Sequence, residues 1–424
     1  MRCNHFKSIA SVWAACASAI ALLSGSAALA ELPRHPIFQT LEATHEEQQP
    51  DPAEPPQPLK FGWAVAIRDG SAFVGMPEAF GLRGRVAIFT QSANGWQRTG
   101  TLDPPAGNGS DNNFGRSLAL RDGYLMVGAS QSVYVFKRGN GRWNLAQRLV
   151  PPAGEIDFAQ SMHFEAGVLV VGAPNVFSDQ RHGTAYAYER NTAGRFVLRT
   201  TLLPADSHIG DSFGTDVSVA GGVIVIGAPD SHAPGATYVF RRNGSGAWVQ
   251  RQRLTSSDAQ DGDRFGWAVA IDKSMIVVGA PNVDIEGLPG FPQTPDGHIA
   301  GGAAYGFVPV AGTFVETLKL RPRPDENAEY LAFGWDVAMF NTRIAVAATA
   351  SGTGVKQGYV HTYRRAGSTV TALGLAEGFE EAESNSLGLA NQWLLVGSPY
   401  DFGCDSFGTC IGDASLIDLT KFTQ

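Results

Sequence analysis

One spacing recurs six times along the chain and leaves few folds open. Phe61, Phe114, Phe158, Phe213, Phe265 and Phe333 each stand 14 residues before Gly75, Gly128, Gly172, Gly227, Gly279 and Ala347. Five of the six Phe are followed by Gly, with Ala159 the exception, and three of the second anchors open Gly-Ala-Pro. A seventh copy ends at Gly397-Ser398-Pro399, where Glu383-Ser384 replaces the upstream Phe-Gly pair. In the cleanest copy four β-type runs, Phe213 to Ala220, Val223 to Gly227, Ala236 to Arg241 and Trp248 to Leu254, are parted by Gly, Pro and Asn turns. Four short strands in about fifty residues, repeated along a chain, make one propeller blade per copy. The expected fold is therefore all-β: a seven-bladed β-propeller of four-stranded blades.

The later runs of each copy extend the pattern. A third run follows each second anchor, as in Val133-Tyr134-Val135-Phe136 and Thr237-Tyr238-Val239-Phe240, with Ala414-Ser415-Leu416-Ile417 in the last copy. The fourth run opens on Trp96, Trp143, Phe196, Trp248 or Phe314 and closes on Leu; the sixth, Ser368 to Leu375, is weaker, and the seventh copy has none before Gln424. A ring needs its last blade completed to leave no bare edge. The N-terminal Pro36-Ile37-Phe38-Gln39-Thr40-Leu41 resembles a fourth run, so it is expected to pair with the strand at Ala414 to Leu419.

These spaced pairs resemble the FG-GAP repeats that build the seven-bladed propeller of integrin alpha chains and of many bacterial exported proteins. The resemblance spans about Phe61 to Leu419. It implies glycines that permit close backbone approach near the axis. Integrin-like repeats often carry an Asp-x-Asp-x-Asp-Gly calcium loop between first and second strands. Here that connection is a tight turn such as Asp69-Gly70, Asp122-Gly123 or Gly221-Gly222, too poor in oxygen ligands, so calcium is not carried over and no cofactor is expected.

Targeting and charge bound the setting. Residues 1–30 combine Arg2 and Lys7, an apolar run through Ile20 to Leu23, and the small-residue exit Ala28-Leu29-Ala30, the pattern of a secretory signal peptide. Residues 31–58 then read as the closing strand followed by a Pro-rich linker, and 59–424 as the propeller. The protein is expected to be exported, to the periplasm or beyond, without a membrane span and as a monomer. Removal of the signal moves the formal charge from −8 to −10, and no basic block is present, which argues against nucleic-acid binding. Cys404 and Cys410, flanking five residues, are expected to form a small-loop disulfide in an oxidising compartment.

No Gly-x-Ser-x-Gly, Walker, dinucleotide or zinc-type pattern occurs, so candidates for function come from loops and rings. The long connections should emerge on one face. There Asn282 to Gly301 offers Asp284, Glu286, Phe291, Asp296 and His298, and Tyr400 to Gly412 offers Tyr400, Asp401, Phe402 and Phe407 beside the cysteines. Asp258, Asp261 and Asp263 form a weak metal candidate whose simpler role is turn hydrogen bonding. Trp63, Trp267 and Trp335 hold one equivalent place, two residues after the repeat Phe, on the innermost strand, where they either stack a ligand at the central channel or pack between blades. The functional expectation is a binding or adhesion module, not an enzyme, that recognises an extracellular or envelope protein or a glycan. A propeller hydrolase or lyase acting on polysaccharide, with acids gathered from separate blades, and a structural envelope protein are the alternatives.

Overall fold

A computed structural model describes residues 33–44, 47, 59–106, 111–152, 155, 157–176, 182–231, 234–284, 301–322, 332–349, 357–367, 369–380, 386–399 and 412–421. Each copy folds into an antiparallel sheet, giving seven blades: 65–102, 117–149, 161–202, 217–254, 268–320, 337–380 and 386–418. The innermost strands run Val65–Arg68, Ser117–Arg121, Ser161–Glu165, Val217–Ala220, Ala268–Ile271, Val337–Phe340 and Ser386–Ala390. Each packs beside the next, and the last returns to the first, so the blades close into a ring. Second strands such as Val223–Ala228 are buried throughout, because both faces of a blade meet a neighbour; they read as unbroken apolar runs. Outer strands such as Phe196–Leu202 are buried mainly at their ends.

The repeat residues have separate mechanical roles. Every repeat Phe is fully buried and meets the third-strand aromatic of its own blade edge-on: Phe114–Tyr134 at 5.4 Å, Phe213–Tyr238 and Phe265–Tyr305 at 5.6 Å. In blade 6 His361 takes the tyrosine's place, 5.0 Å from Phe333. The second-anchor glycine of each blade lies against the Phe-Gly turn of the next. A Cβ on Gly227 would sit 1.9 Å from the Gly266 carbonyl oxygen, one on Gly279 2.0 Å from that of Gly334, and one on Gly397 2.0 Å from that of Gly62. The close approach is thus between blades rather than toward the axis. Ala347, the one anchor with a side chain, precedes the one copy in which Phe-Gly has become Glu383-Ser384.

Ring closure follows the expected pairing. Gln39–Leu41 is the outer strand of blade 7, with Gln39 opposite Leu416, Thr40 opposite Ser415 and Leu41 opposite Ala414. A recurring glutamine clasp reinforces it. The Gln147 side chain donates to the Phe196 carbonyl and accepts from the Phe196 N–H at 2.8 and 2.9 Å. Gln252 does the same to Phe314 at 2.7 and 2.8 Å, and Gln39 to Trp96 at 2.6 and 2.9 Å. Gln39 therefore joins blade 7 to blade 1 by the device that joins blades 2 and 3, and 4 and 5.

Some details differ from expectation. The first runs begin later, because the Phe-Gly pair sits in a turn: Ser212 and Gly214 have φ of +55° and +97°, and the strand starts at Val217. The Trp positions accordingly precede the innermost strands instead of lying on them. The fourth run of blade 6 extends over Thr369–Glu380, and its outer edge is covered by an unforeseen strand, Arg34–His35, running parallel to it. Gly374 makes room for this strap: a Cβ there would lie 2.4 Å from His35 Nε2. His35 is buried, with Nε2 2.8 Å from Thr362 Oγ1, and burial lowers its pKa to about 4. The signal-peptide residues 1–30, most of the linker, and the Cys404–Cys410 pair lie outside the described residues. Among the described residues no helix is long and apolar enough to cross a membrane.

Candidate functional site

The innermost strands enclose a central channel of about 770 Å³, lined from Trp63, Trp267 and Trp335 just before those strands to Lys273 and Asn341 just after them. Position in the repeat decides what lines it. The residue two after each repeat Phe forms the rim: Trp63, Arg116, Gln160, Thr215, Trp267 and Trp335. Trp267 and Trp335 touch at 4.8 Å between ring centroids with planes tilted by 47°. Lys60 Nζ lies 4.8 Å from the Trp63 ring and the Arg264 guanidinium 5.2 Å from that of Trp267, so cations hold two of the indoles. Arg116 reaches Gln160 and, at 3.3 Å, Asp157, which ties the polar side of the rim together.

One residue deeper the wall is mostly small, Ala64, Ser117, Ser161 and Ala268, but blades 4 and 6 place Asp216 and Asp336 there. Each carboxylate tethers two blades. Asp216 accepts the Val217 N–H at 2.8 Å and, from the next blade, the Val269 N–H at 2.6 Å. Asp336 accepts the Val337 N–H at 2.7 Å and the Leu387 N–H at 2.8 Å. Burial outweighs these donors, pushing the Asp216 carboxyl up to about 7 and that of Asp336 up to about 8, the latter also feeling Asp216. His163 Nδ1 plays the tether role in blade 3, accepting the Val219 N–H at 3.0 Å, and burial lowers its pKa to about 4. The inner-wall acids were missed in the sequence. Their signal was a charge at a repeat position that other copies keep small.

The remaining candidates do not converge on one site. Asp258 is occupied by the Tyr305 hydroxyl at 2.9 Å and by Lys319, and Asp261 is exposed. Asp263 accepts the Gln260 N–H at 2.8 Å, as Asp211 accepts that of His208 at 2.7 Å, so both close turns. Asp284 lies near enough to Asp263 to help raise its pKa, after burial and Asp258. No group of three metal-capable side chains forms among the described residues. In blades 1 to 4 the connections between first and second strands are two-residue turns with positive φ at both positions, as at Asp69-Gly70 (+49°, +70°) and Asp122-Gly123 (+52°, +72°), whereas blade 5 uses the four residues 272–275 and blades 6 and 7 have positive φ only at Asn341 and Asn391. Glu286, Phe291, Asp296, His298, Tyr400, Asp401, Phe402 and Phe407 lie outside the described residues.

Residues 196–240 and 248–306 match the family model described as FG-GAP repeat. Each match runs from the outer strand of one blade through the third strand of the next, the same offset that hands blade 7 its outer strand from the N-terminus. No curated protein matches the chain. Among solved structures, the extracellular domain of a B. thetaiotaomicron chain described as a hybrid two-component system is 11% identical with a TM-score of 0.46; the match covers 90% of this chain and 39% of that one. This chain thus spans well under half the length of that neighbour. YjhT is 11% identical (TM-score 0.43, 74% of this chain and 98% of that one), and Kluyvelomyces marxianus Hsv2 is 12% identical (0.40, 72% and 82%). Likeness at that level carries no argument about ligands.

Proposed function

Because the chain is an FG-GAP-repeat, seven-bladed propeller, we propose that it serves as an exported binding module that takes a glycan at the Trp-lined mouth of its central channel. The observation that carries this is the rim itself: three indoles, Trp63, Trp267 and Trp335, share one ring with Arg116 and Gln160 at the opening of a cavity of about 770 Å³. Aromatic planes stack on the apolar face of a pyranose while amide and guanidinium groups meet its hydroxyls, the mixture expected of a concave ligand site. Export is supported by the pattern in residues 1–30.

The test is a glycan array probed with purified protein and with W267A/W335A. Selective binding that the double variant loses supports the assignment; array binding unchanged in that variant, or none by the parent protein, overturns it. A second function, polysaccharide hydrolysis, is favoured by Asp216 and Asp336, two acids with raised pKa on the channel wall. Against it, both oxygens of each carboxylate already accept backbone N–H groups. Release of reducing ends from a bound glycan, abolished in D216N or D336N, would favour hydrolysis.

A further inference from the structure

The end of the ring opposite the Trp rim carries the short turns between first and second strands and, in blades 1 to 6, between third and fourth strands, with Phe38 and Lys421 beside blade 7. Their charge is one-sided. Blade 2 places exposed Lys137, Arg138 and Arg142 there, blade 3 Arg190 and Arg195, and blade 4 Arg242. Lys273, Arg364 and Lys421 continue the series through blades 5, 6 and 7. Against these nine exposed cations the same end exposes two acids, Asp69 and Asp122, and holds Glu165, Glu189, Asp272 and Asp418 half-buried. Arg242, with Glu189, is the one of the nine that forms an ion pair among the described residues. The whole chain has a formal charge of −8, so a basic end stands on an otherwise acidic body.

We propose that this basic face docks on an anionic lipid surface, leaving the Trp-lined rim of the channel pointing away from the membrane. The shape chooses among polyanions. A linear chain of phosphates or sulfates needs cations along a groove, whereas these are distributed over one end of the ring from blade 2 to blade 7, six of the nine in blades 2 to 4, an arrangement that a layer of headgroups can meet at many points. The acidic remainder of the molecule is repelled by the same layer, which fixes orientation as well as contact. Attraction of this kind needs no spanning segment and no apolar insertion. It also does not depend on what the channel binds.

The experiment is sedimentation of the full chain with phosphatidylcholine vesicles, with and without about 30 mol% phosphatidylglycerol, in rising salt. Binding should require the anionic lipid and fade by about 0.5 M NaCl. Each cation near such a surface contributes about fivefold in partitioning, so K137Q/R138Q/R142Q should lose roughly a hundredfold. The variant R83Q/R199Q/R321Q, with the same change in net charge elsewhere, should lose little; circular dichroism checks that both fold. Equal losses in the two variants, or binding indifferent to phosphatidylglycerol, overturn the proposal. So does capture of soluble dextran sulfate with the vesicles ignored, which would assign the face to a polyanionic polymer, or salt-sensitive self-association of the chain alone, which would assign it to a second copy.

Discussion

Gly227→Ala tests the role given to the second-anchor glycines. The added Cβ would stand 1.9 Å from the carbonyl oxygen of Gly266 in the next blade, where real contacts stay beyond 3.0 Å, so the carbonyl must retreat by about 1 Å. That carbonyl is not the free end of a side chain. Its residue donates its N–H to Gly279 O at 3.0 Å, and the following residue is Trp267 at the channel rim. Retreat therefore opens the seam between blades 4 and 5 and disturbs the rim together. Overpacking of this kind costs about 1–3 kcal/mol, and the rigid backbone on both sides puts this site near 3. Gly244→Ala is the control: its Cβ would meet nothing within 4 Å, and the change should be neutral or slightly stabilising. Guanidinium denaturation of both variants, with glycan binding of the folded G227A protein, reads the two consequences. If G227A lies within about 0.5 kcal/mol of G244A, the blades are not held apart by the missing methyl and the packing argument fails.

Three other outcomes follow from the seams. Q39A and Q252A each remove a two-bond clasp to the neighbouring blade and should each cost about 1–3 kcal/mol in denaturant unfolding; a neutral Q39A would mean that the N-terminal strand holds by its ladder alone. G374A should expel the Arg34–His35 strap, seen as faster hydrogen exchange at Leu375, whose N–H donates to Pro33 O at 3.0 Å; unchanged exchange would refute the steric account. Asp216 and Asp336 have native pKa values of about 7 and about 8 against an unfolded value near 3.8, so between those limits the native state holds more protons than the unfolded state. Stability should then fall as pH rises from about 4 to about 8, and the slope should flatten in D216N/D336N; a rising or flat parent curve would contradict the assignment.

The architecture was legible because its information is periodic. Phe213, Gly227 and Tyr238 belong to one blade, and their counterparts recur in register, so each copy confirms the others. The closing strand was legible for the same reason, since Phe38 to Leu41 echoes a fourth run that blade 7 lacks. Arg34–His35 has no counterpart in any other copy, and its parallel pairing with blade 6 left no trace in the repeat. The glutamine clasp was written in the sequence three times, at Gln39, Gln147 and Gln252, but a polar residue on an outer strand looks like solvent-facing surface until its neighbour is placed beside it.

Function is carried by what the repeat does not keep constant, and this is why sequence reading reached so little of the site. Trp63, Trp267 and Trp335 could be aligned, but whether an indole at that place packs or lines a channel depends on the turn geometry that the Phe-Gly pair imposes. Asp216 and Asp336 break a small-residue position on a wall that only a closed ring creates. The cations go further in the same direction. Arg138, Arg190, Arg242, Lys273 and Arg364 are far apart along the chain and form no basic run, yet the antiparallel meander brings every second turn to the same end of its blade. A propeller thereby converts charge that is diffuse in one dimension into a charged plane in three, and a search for basic blocks cannot see it.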